Sequence, residues 1–136
     1  MTVEGLPVFV YGTLRPGEKN YPVYLAGRTV AEVAAIAEGQ LYFVAEGGYP
    51  YVKPGRGTVA GELVYLDPRH YAQTLQGLDA LEEYDPDNES NSVYLRRRTL
   101  VTLADGSRPA AWIYYWNCPQ IVGIRIASGD YRDRPV

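Results

Sequence analysis

Cysteine and histidine are almost missing from this chain. Cys118 and His70 are the only ones in 136 residues. One thiol excludes an internal disulfide and fits a reducing compartment. One thiol and one imidazole far apart in sequence offer no metal-ligand spacing, so no metal is expected. They make a poor nucleophile–base pair too: Cys118 reads as a small packing residue and His70 as a solvent-facing or locally capping one. Long apolar runs are lacking, and none approaches the roughly 20 residues of a membrane span. Glu4 comes early and no basic region precedes an apolar stretch, so no signal peptide is read and a cytoplasmic location is expected. Neither a P-loop nor a Gly-x-Gly-x-x-Gly pattern occurs, so no nucleotide cofactor, and no cofactor at all, is expected. Charge of one sign does not dominate either. The formal net charge of −3 draws the molecule toward neither nucleic acid nor anionic membrane.

Tyrosine is abundant instead, with 13 against only 2 phenylalanines. Such residues pack an apolar ring and leave a hydroxyl for a partner, so a polar pocket lined by some of them is a natural outcome. The length suits one domain spanning residues 1–136. Near its start, Val8-Phe9-Val10-Tyr11 is β-branched and aromatic and too short for a helix, so it reads as a buried strand. Pro7 precedes it, where a missing N–H does least damage. Gly12-Thr13-Leu14 then breaks the run. Gly12 is expected to let the backbone leave the strand by conformations closed to other residues, exposing main-chain N–H groups that can hold an anion or oxyanion.

Further along, Arg15 to Asn20 reads as a polar loop and Tyr21 to Ala26 as a short helix. Thr29 to Val44 is strand-like, with Gly39 as a possible break between two strands. Gly47-Gly48-Tyr49-Pro50 and Lys53-Pro54-Gly55-Arg56-Gly57 read as turns framing a loop. Thr58 to Leu66 is a strand with Val59, Gly61, Leu63 and Tyr65 on one face and Glu62 on the other. Val93 to Leu103 and Ala110 to Trp116 are strands around an Asp105-Gly106 hairpin turn. Beyond Cys118 the chain reads as irregular.

The helix between these strands carries the second signal. Asp67-Pro68 has the form of a helix start. At about 100° per residue, Tyr71, Leu75, Leu78 and Glu82 fall on one narrow face. A carboxylate on a core-facing stripe costs free energy unless it is paired or used. Two readings stay open here: a functional Glu82, or a helix ending near Leu81 with Glu82 fraying into solvent. Gly77 weakens the helix interior and supports the second. Glu83 lies about 100° to the side and is expected to point away from the pocket face.

Taken in order, Tyr11-Gly12-Thr13-Leu14, Leu78-Asp79-Ala80-Leu81-Glu82-Glu83-Tyr84, Tyr94-Leu95-Arg96, Asp105-Gly106 and Ala111-Trp112-Ile113-Tyr114 resemble the γ-glutamylcyclotransferase-like family, which includes the AIG2-like proteins. Gly61-Glu62-Leu63 and Ser128-Gly129-Asp130-Tyr131 are weaker echoes. The family often has Gly where Glu83 stands, so that position departs from the pattern. The likeness runs from Val8 to about Tyr131. It implies a single α+β domain with a mixed, strongly curved, β-barrel-like sheet and a few packed helices. It also implies Glu82 as acid/base and the Tyr11, Gly12, Thr13 and Leu14 loop for substrate carboxylate or oxyanion, with Tyr94 and Tyr115 as further substrate-binding positions. Arg96 is implied as a structural or pocket-edge ion pair.

The chemistry fits those parts. A γ-glutamyl compound carries its own nucleophile, the α-amine, and holding it folded makes attack on the γ-carbonyl intramolecular. One carboxylate in a dry pocket can serve as base and then acid, while backbone N–H groups stabilise the oxyanion. The expected substrate is a small γ-glutamyl amine or amino acid, and the expected product 5-oxoproline. A non-catalytic relative that binds a small carboxylate or a protein partner is the alternative, and the presence of Glu82 weighs against it. The Arg96-Arg97-Arg98 tract makes no nucleic-acid patch, because alternate strand residues point to opposite faces. No membrane partner is expected, and oligomeric state is not legible.

Overall fold

The computed structural model describes residues 5–135, so Glu4 lies outside the described residues. Six strands form one sheet in the order β3-β1-β5-β4-β2-β6, where β1 is Val8–Val10, β2 Thr29–Val44, β3 Tyr49–Leu66, β4 Tyr94–Leu103, β5 Ala110–Trp116 and β6 Ile124–Arg125. A further β2–β3 pairing closes the first five into a mixed barrel. Among the described residues the one parallel pairing is β1 with β5, through Val8 and Trp112, and the other pairings are antiparallel. This is the single curved-sheet α+β domain expected from the sequence.

The longest element departs from expectation. β2 and β3, of 16 and 18 residues, run as one continuous ribbon from the Thr29–Leu66 pair to the Val44–Tyr49 pair. Gly39 does not divide β2, and Lys53–Gly57 is strand rather than turn. The ladder slips at Glu38/Gln40 instead, with Gly39 at φ 156°. A Cβ on Gly39 would stand 2.8 Å from Val52 Cγ1. A bulge of this kind bends a ribbon sharply, and a small barrel needs such bends. Glycines that look like breaks in the sequence are therefore corners of a strand.

β1 explains its own composition. Phe9 and Tyr11 point into the barrel with Leu41, Leu63, Val101 and Ile113. Val8 and Val10 point outward into a second buried layer with Tyr42, Tyr51, Val64 and Leu78. A strand buried on both faces reads as a continuous apolar run.

The helix α1, Tyr21–Tyr24, is shorter than expected. Asp67 caps as predicted, its carboxylate accepting from Arg69 N–H at 2.9 Å, but it caps a 3₁₀ turn over Pro68–His70. The α-helix α2 follows at Tyr71–Leu81 and passes through Gly77 unbroken. Its Tyr71, Leu75 and Leu78 pack on the outer layer of the barrel, with Leu78 fully buried. The tail is more ordered than predicted. β6 pairs with β2, and a 3₁₀ turn at Tyr131–Asp133 buries Tyr131 against the barrel core. No helix among the described residues is long and apolar enough to cross a membrane.

Candidate active site

The end of α2 sets the position of the key carboxylate. Tyr84 N–H donates to Asp79 O at 2.9 Å and Glu83 N–H to Ala80 O at 3.2 Å. Those are the two bonds of a Schellman stop, which needs a left-handed residue just past the cap. Glu82 is the cap and Glu83 the left-handed residue, with φ 53°. Gly adopts that conformation at least cost, which is a physical reason for the Gly expected at this position. The helix does end at Leu81, yet Glu82 does not fray into solvent. It lines a cavity of about 320 Å³ together with Tyr11, Gly12, Thr13 and Leu14. Glu83 also lines this cavity, although helical geometry placed it to the side. The left-handed turn redirects the chain, so the 100° rule no longer applies there.

Glu82 keeps part of its surface open to the cavity. Protein nevertheless surrounds its carboxyl, and burial, with a smaller push from Asp79, raises its pKa to about 7. Asp79 is held in turn. It accepts from Arg96 Nε at 2.9 Å and from the Tyr114 hydroxyl at 2.6 Å. The Arg96 guanidinium also lies 4.5 Å above the Trp112 ring. Arg97 pairs with Glu89 at 2.9 Å, so two of the three consecutive arginines are engaged within the protein.

The loop after β1 lines the same cavity. The N–H groups of Gly12, Thr13 and Leu14 donate to no acceptor among the described residues. Gly12 is required here for a reason other than the expected one. It has no positive φ, but a Cβ would stand 2.2 Å from Pro50 Cγ, so the residue is small because Pro50 packs against it. Arg15 holds the loop from behind. Buried to 3% exposure, it bonds Glu62 at 2.8 and 3.0 Å and Asp130 at 2.8 Å. Its own N–H closes the turn on Gly12 O at 3.0 Å.

Tyrosines frame the interior. Tyr11 donates to Tyr114 O and Tyr94 to Pro50 O, both at 2.7 Å. Their protons are thus committed to the protein, which fixes both phenols in place. Burial raises both phenols well above the ordinary value; Tyr94 and Glu82 push Tyr11 further, and Glu82 pushes Tyr94. Both remain neutral at physiological pH.

Tyr115 is the exception among the expected site residues. It is not among the residues lining the cavity and packs against the barrel interior instead. Its neighbours Tyr114 and Trp116 line the cavity. Alternation along β5 turns these two toward α2, and Tyr115 with Ile113 inward. The pattern showed two faces without showing which one met the helix. Sequence reasoning also missed Lys19, Asn20 and Tyr49 on the cavity wall. Of the Gly47-Gly48-Tyr49-Pro50 segment expected to turn, Gly47 and Gly48 do, while Tyr49 and Pro50 open β3 and line the cavity.

A family model described as gamma-glutamyl cyclotransferase, AIG2-like, matches residues 8–133. The chain belongs to this family. It is 34% identical over 128 residues to the gamma-glutamylcyclotransferase family protein YtfP of Escherichia coli K12, covering 93% of this chain and 96% of that protein. It is 32% identical over 110 residues to the gamma-L-glutamyl-butirosin B gamma-glutamyl cyclotransferase of Niallia circulans, covering 81% of this chain and 66% of that one. A crystal structure of an uncharacterized protein from Pyrococcus horikoshii superposes with a TM-score of 0.64 at 26% identity, covering 94% and 91% of the two chains. As a γ-glutamylcyclotransferase-like domain, the protein carries the barrel, the loop after β1 and the helix-ending carboxylate on matched sequence.

Proposed function

We propose that the protein is a metal-independent cytoplasmic enzyme that cyclises the γ-glutamyl group of a small γ-glutamyl amine or amino acid to 5-oxoproline and releases the amine. The observation that carries this reading is Glu82: a carboxyl with a pKa of about 7 on a cavity also lined by the loop after β1, whose backbone N–H groups have no acceptor among the described residues. A base and an acid in one group work best when the pKa lies near the operating pH.

The α-amine attacks after its ammonium form has given its first proton to water. Glu82 takes the second proton as the N–C bond forms at the γ-carbon. The carbonyl oxygen becomes an oxyanion, to which the N–H groups of Gly12 to Leu14 donate in this reading. As the oxyanion collapses, the bond from the γ-carbon to the leaving nitrogen breaks and Glu82 returns its proton there. Water supplies the released amine with its last proton, so the balance closes with Glu82 restored. Folding the substrate so that amine meets carbonyl supplies about 7–11 kcal/mol of the barrier. Tyr11 and Tyr94, fixed by their own hydrogen bonds, present rigid walls for that folded conformer.

Incubating the protein with a panel of γ-glutamyl amines and γ-glutamyl amino acids, with 5-oxoproline as the readout, tests the reading. Release from at least one compound, lost in Glu82→Gln, is the expected result. Binding without turnover across the whole panel would favour a carboxylate-binding relative.

A further inference from the structure

Glu82 sits inside a turn whose two ends meet the same side chain. The turn runs from Asp79 to Tyr84, and Tyr84 N–H closes it on Asp79 O at 2.9 Å. Arg96 of β4 reaches both ends. Its Nε and Nη2 donate to the two carboxylate oxygens of Asp79 at 2.9 and 3.2 Å. Its guanidinium carbon also lies 5.5 Å from the centre of the Tyr84 ring and 4.5 Å from that of Trp112. The Arg96 and Asp79 side chains are 16% and 13% exposed, so the pair is largely shielded from solvent. Two further bonds tie the turn to the sheet: the Tyr114 hydroxyl donates to Asp79 at 2.6 Å, and Val93 N–H to Glu83 O at 3.0 Å.

Asp79, Tyr84, Arg96 and Trp112 are not among the residues lining the cavity. Whatever they do for the chemistry, they do through Glu82. A helix stop with a left-handed non-glycine residue, Glu83, carries strain that its surroundings must hold. A group that accepts and returns a proton must also stay within about 0.5 Å of its working position. A guanidinium suits that task, since its planar fork and its stacked faces fix direction as well as charge. An ammonium supplies the charge alone.

We propose that Arg96 is a positioning residue of the reaction, holding Asp79 and Tyr84 together and so fixing the turn that carries the Glu82 carboxyl. This rests on the cyclotransferase reading for what Glu82 does. Arg96 also offsets the Asp79 charge. The groups in electrostatic reach of Glu82 are Asp79 on its own helix, Tyr11 at the end of β1, Tyr94 on β4 and Tyr114 on β5. Glu83 adjoins it, and Lys19 shares the cavity lining. Burial keeps the three phenols neutral near pH 7, which leaves Asp79 as the charge that Arg96 governs.

The test uses Arg96→Lys, Arg96→Gln and Asp79→Asn. Three quantities are read: kcat and KM on the best compound of the panel, exchange of the Tyr84 N–H, and titration of the Glu82 carboxyl by carbon NMR, its resonance identified with Glu82→Gln. Arg96→Lys should keep the Glu82 midpoint near that of the parent, because the charge remains. It should nevertheless lower kcat about tenfold with KM changed less than about twofold, and quicken Tyr84 N–H exchange about tenfold. Arg96→Gln leaves Asp79 unopposed and should raise the midpoint by roughly half a unit, whereas Asp79→Asn should lower it by a similar amount. An ion pair serving stability alone would be restored by Lys in every readout. Parental kcat or parental Tyr84 exchange in Arg96→Lys, or midpoints that do not move apart in the other two variants, overturns the assignment. Should Arg96→Gln fail to fold, Arg96→Lys and Asp79→Asn decide it by the same criteria. If the parent releases no 5-oxoproline from any compound, the reaction reading is at fault. Exchange and titration, which need no turnover, then decide whether Arg96 holds the turn.

Discussion

Arg15 and Glu62 lie 47 positions apart in sequence and meet through two hydrogen bonds of 2.8 and 3.0 Å. Asp130, 115 positions from Arg15, takes a third at 2.8 Å. The arginine in the β1 loop thus joins that loop to β3 and to the segment before the last turn. Those were three of the stretches that carried the family likeness, and one ion triad connects them.

Replacing Arg15 with Ala should destabilise the fold by about 2–4 kcal/mol, because the partly buried Glu62 and Asp130 lose the buried guanidinium that pairs with both. Arg15→Lys should cost less, about 1–3 kcal/mol, since an ammonium cannot reproduce the planar fork. Denaturant unfolding of the three proteins checks the order. Equal stabilities would show that the triad is not what anchors the loop.

Glu82→Gln should leave the fold intact and reduce 5-oxoproline release by at least about 10²–10⁴-fold. An amide of the same shape can still accept a hydrogen bond but cannot carry the proton. Steady-state rates on the best compound of the panel, beside a circular dichroism spectrum, separate loss of chemistry from loss of fold.

The raised pKa of Glu82 has a signed consequence for the pH profile. Glu82 must be ionised to accept a proton, so kcat/KM should fall about tenfold per unit as pH drops below about 7. Stability should run the other way. The folded chain keeps a proton at pH values where the unfolded chain has released it, so folding is favoured below pH 4.5 and loses this contribution as pH rises through about 7. Between about pH 4.5 and about pH 8 the parent should lose about 1–3 kcal/mol relative to Glu82→Gln, after allowance for the side of Glu82 open to solvent. Paired unfolding curves at the two pH values read this difference directly.

Glu83→Gly should raise stability by about 1 kcal/mol, since glycine adopts φ 53° without a Cβ clash. The gain is smaller than the full strain because glycine also loses more backbone entropy on folding. A melting temperature unchanged or lowered would mean that the turn is not strained.

Local patterns carried much of this structure. β1, the Asp105-Gly106 hairpin and the Tyr71/Leu75/Leu78/Glu82 stripe were legible because each is written in the spacing of neighbouring residues. Gly39, Gly55 and Gly57 misled because barrel curvature is a tertiary demand that a local rule reads as chain reversal. Tyr115 was chosen over Tyr114 because alternation does not say which face of β5 the helix covers. Gly12 was correctly singled out for the wrong cause, since its neighbour Pro50 comes from a distant strand. The Arg15 triad left no local trace.

The parallel pairing of β1 with β5 also bears on the order in which the molecule assembles. The long β2–β3 ribbon joins residues near one another in the chain and can form early; β1 can then pair with β3, but its other edge must wait for β5, more than a hundred residues downstream, as the Tyr11 to Tyr114 bond across 103 positions illustrates. During synthesis, therefore, the loop after β1 emerges first and acquires its permanent surroundings last. A nascent chain stalled before Ala110 would hold the whole ribbon and helix α2 but no finished cavity, so a competent site marks a chain whose barrel has closed.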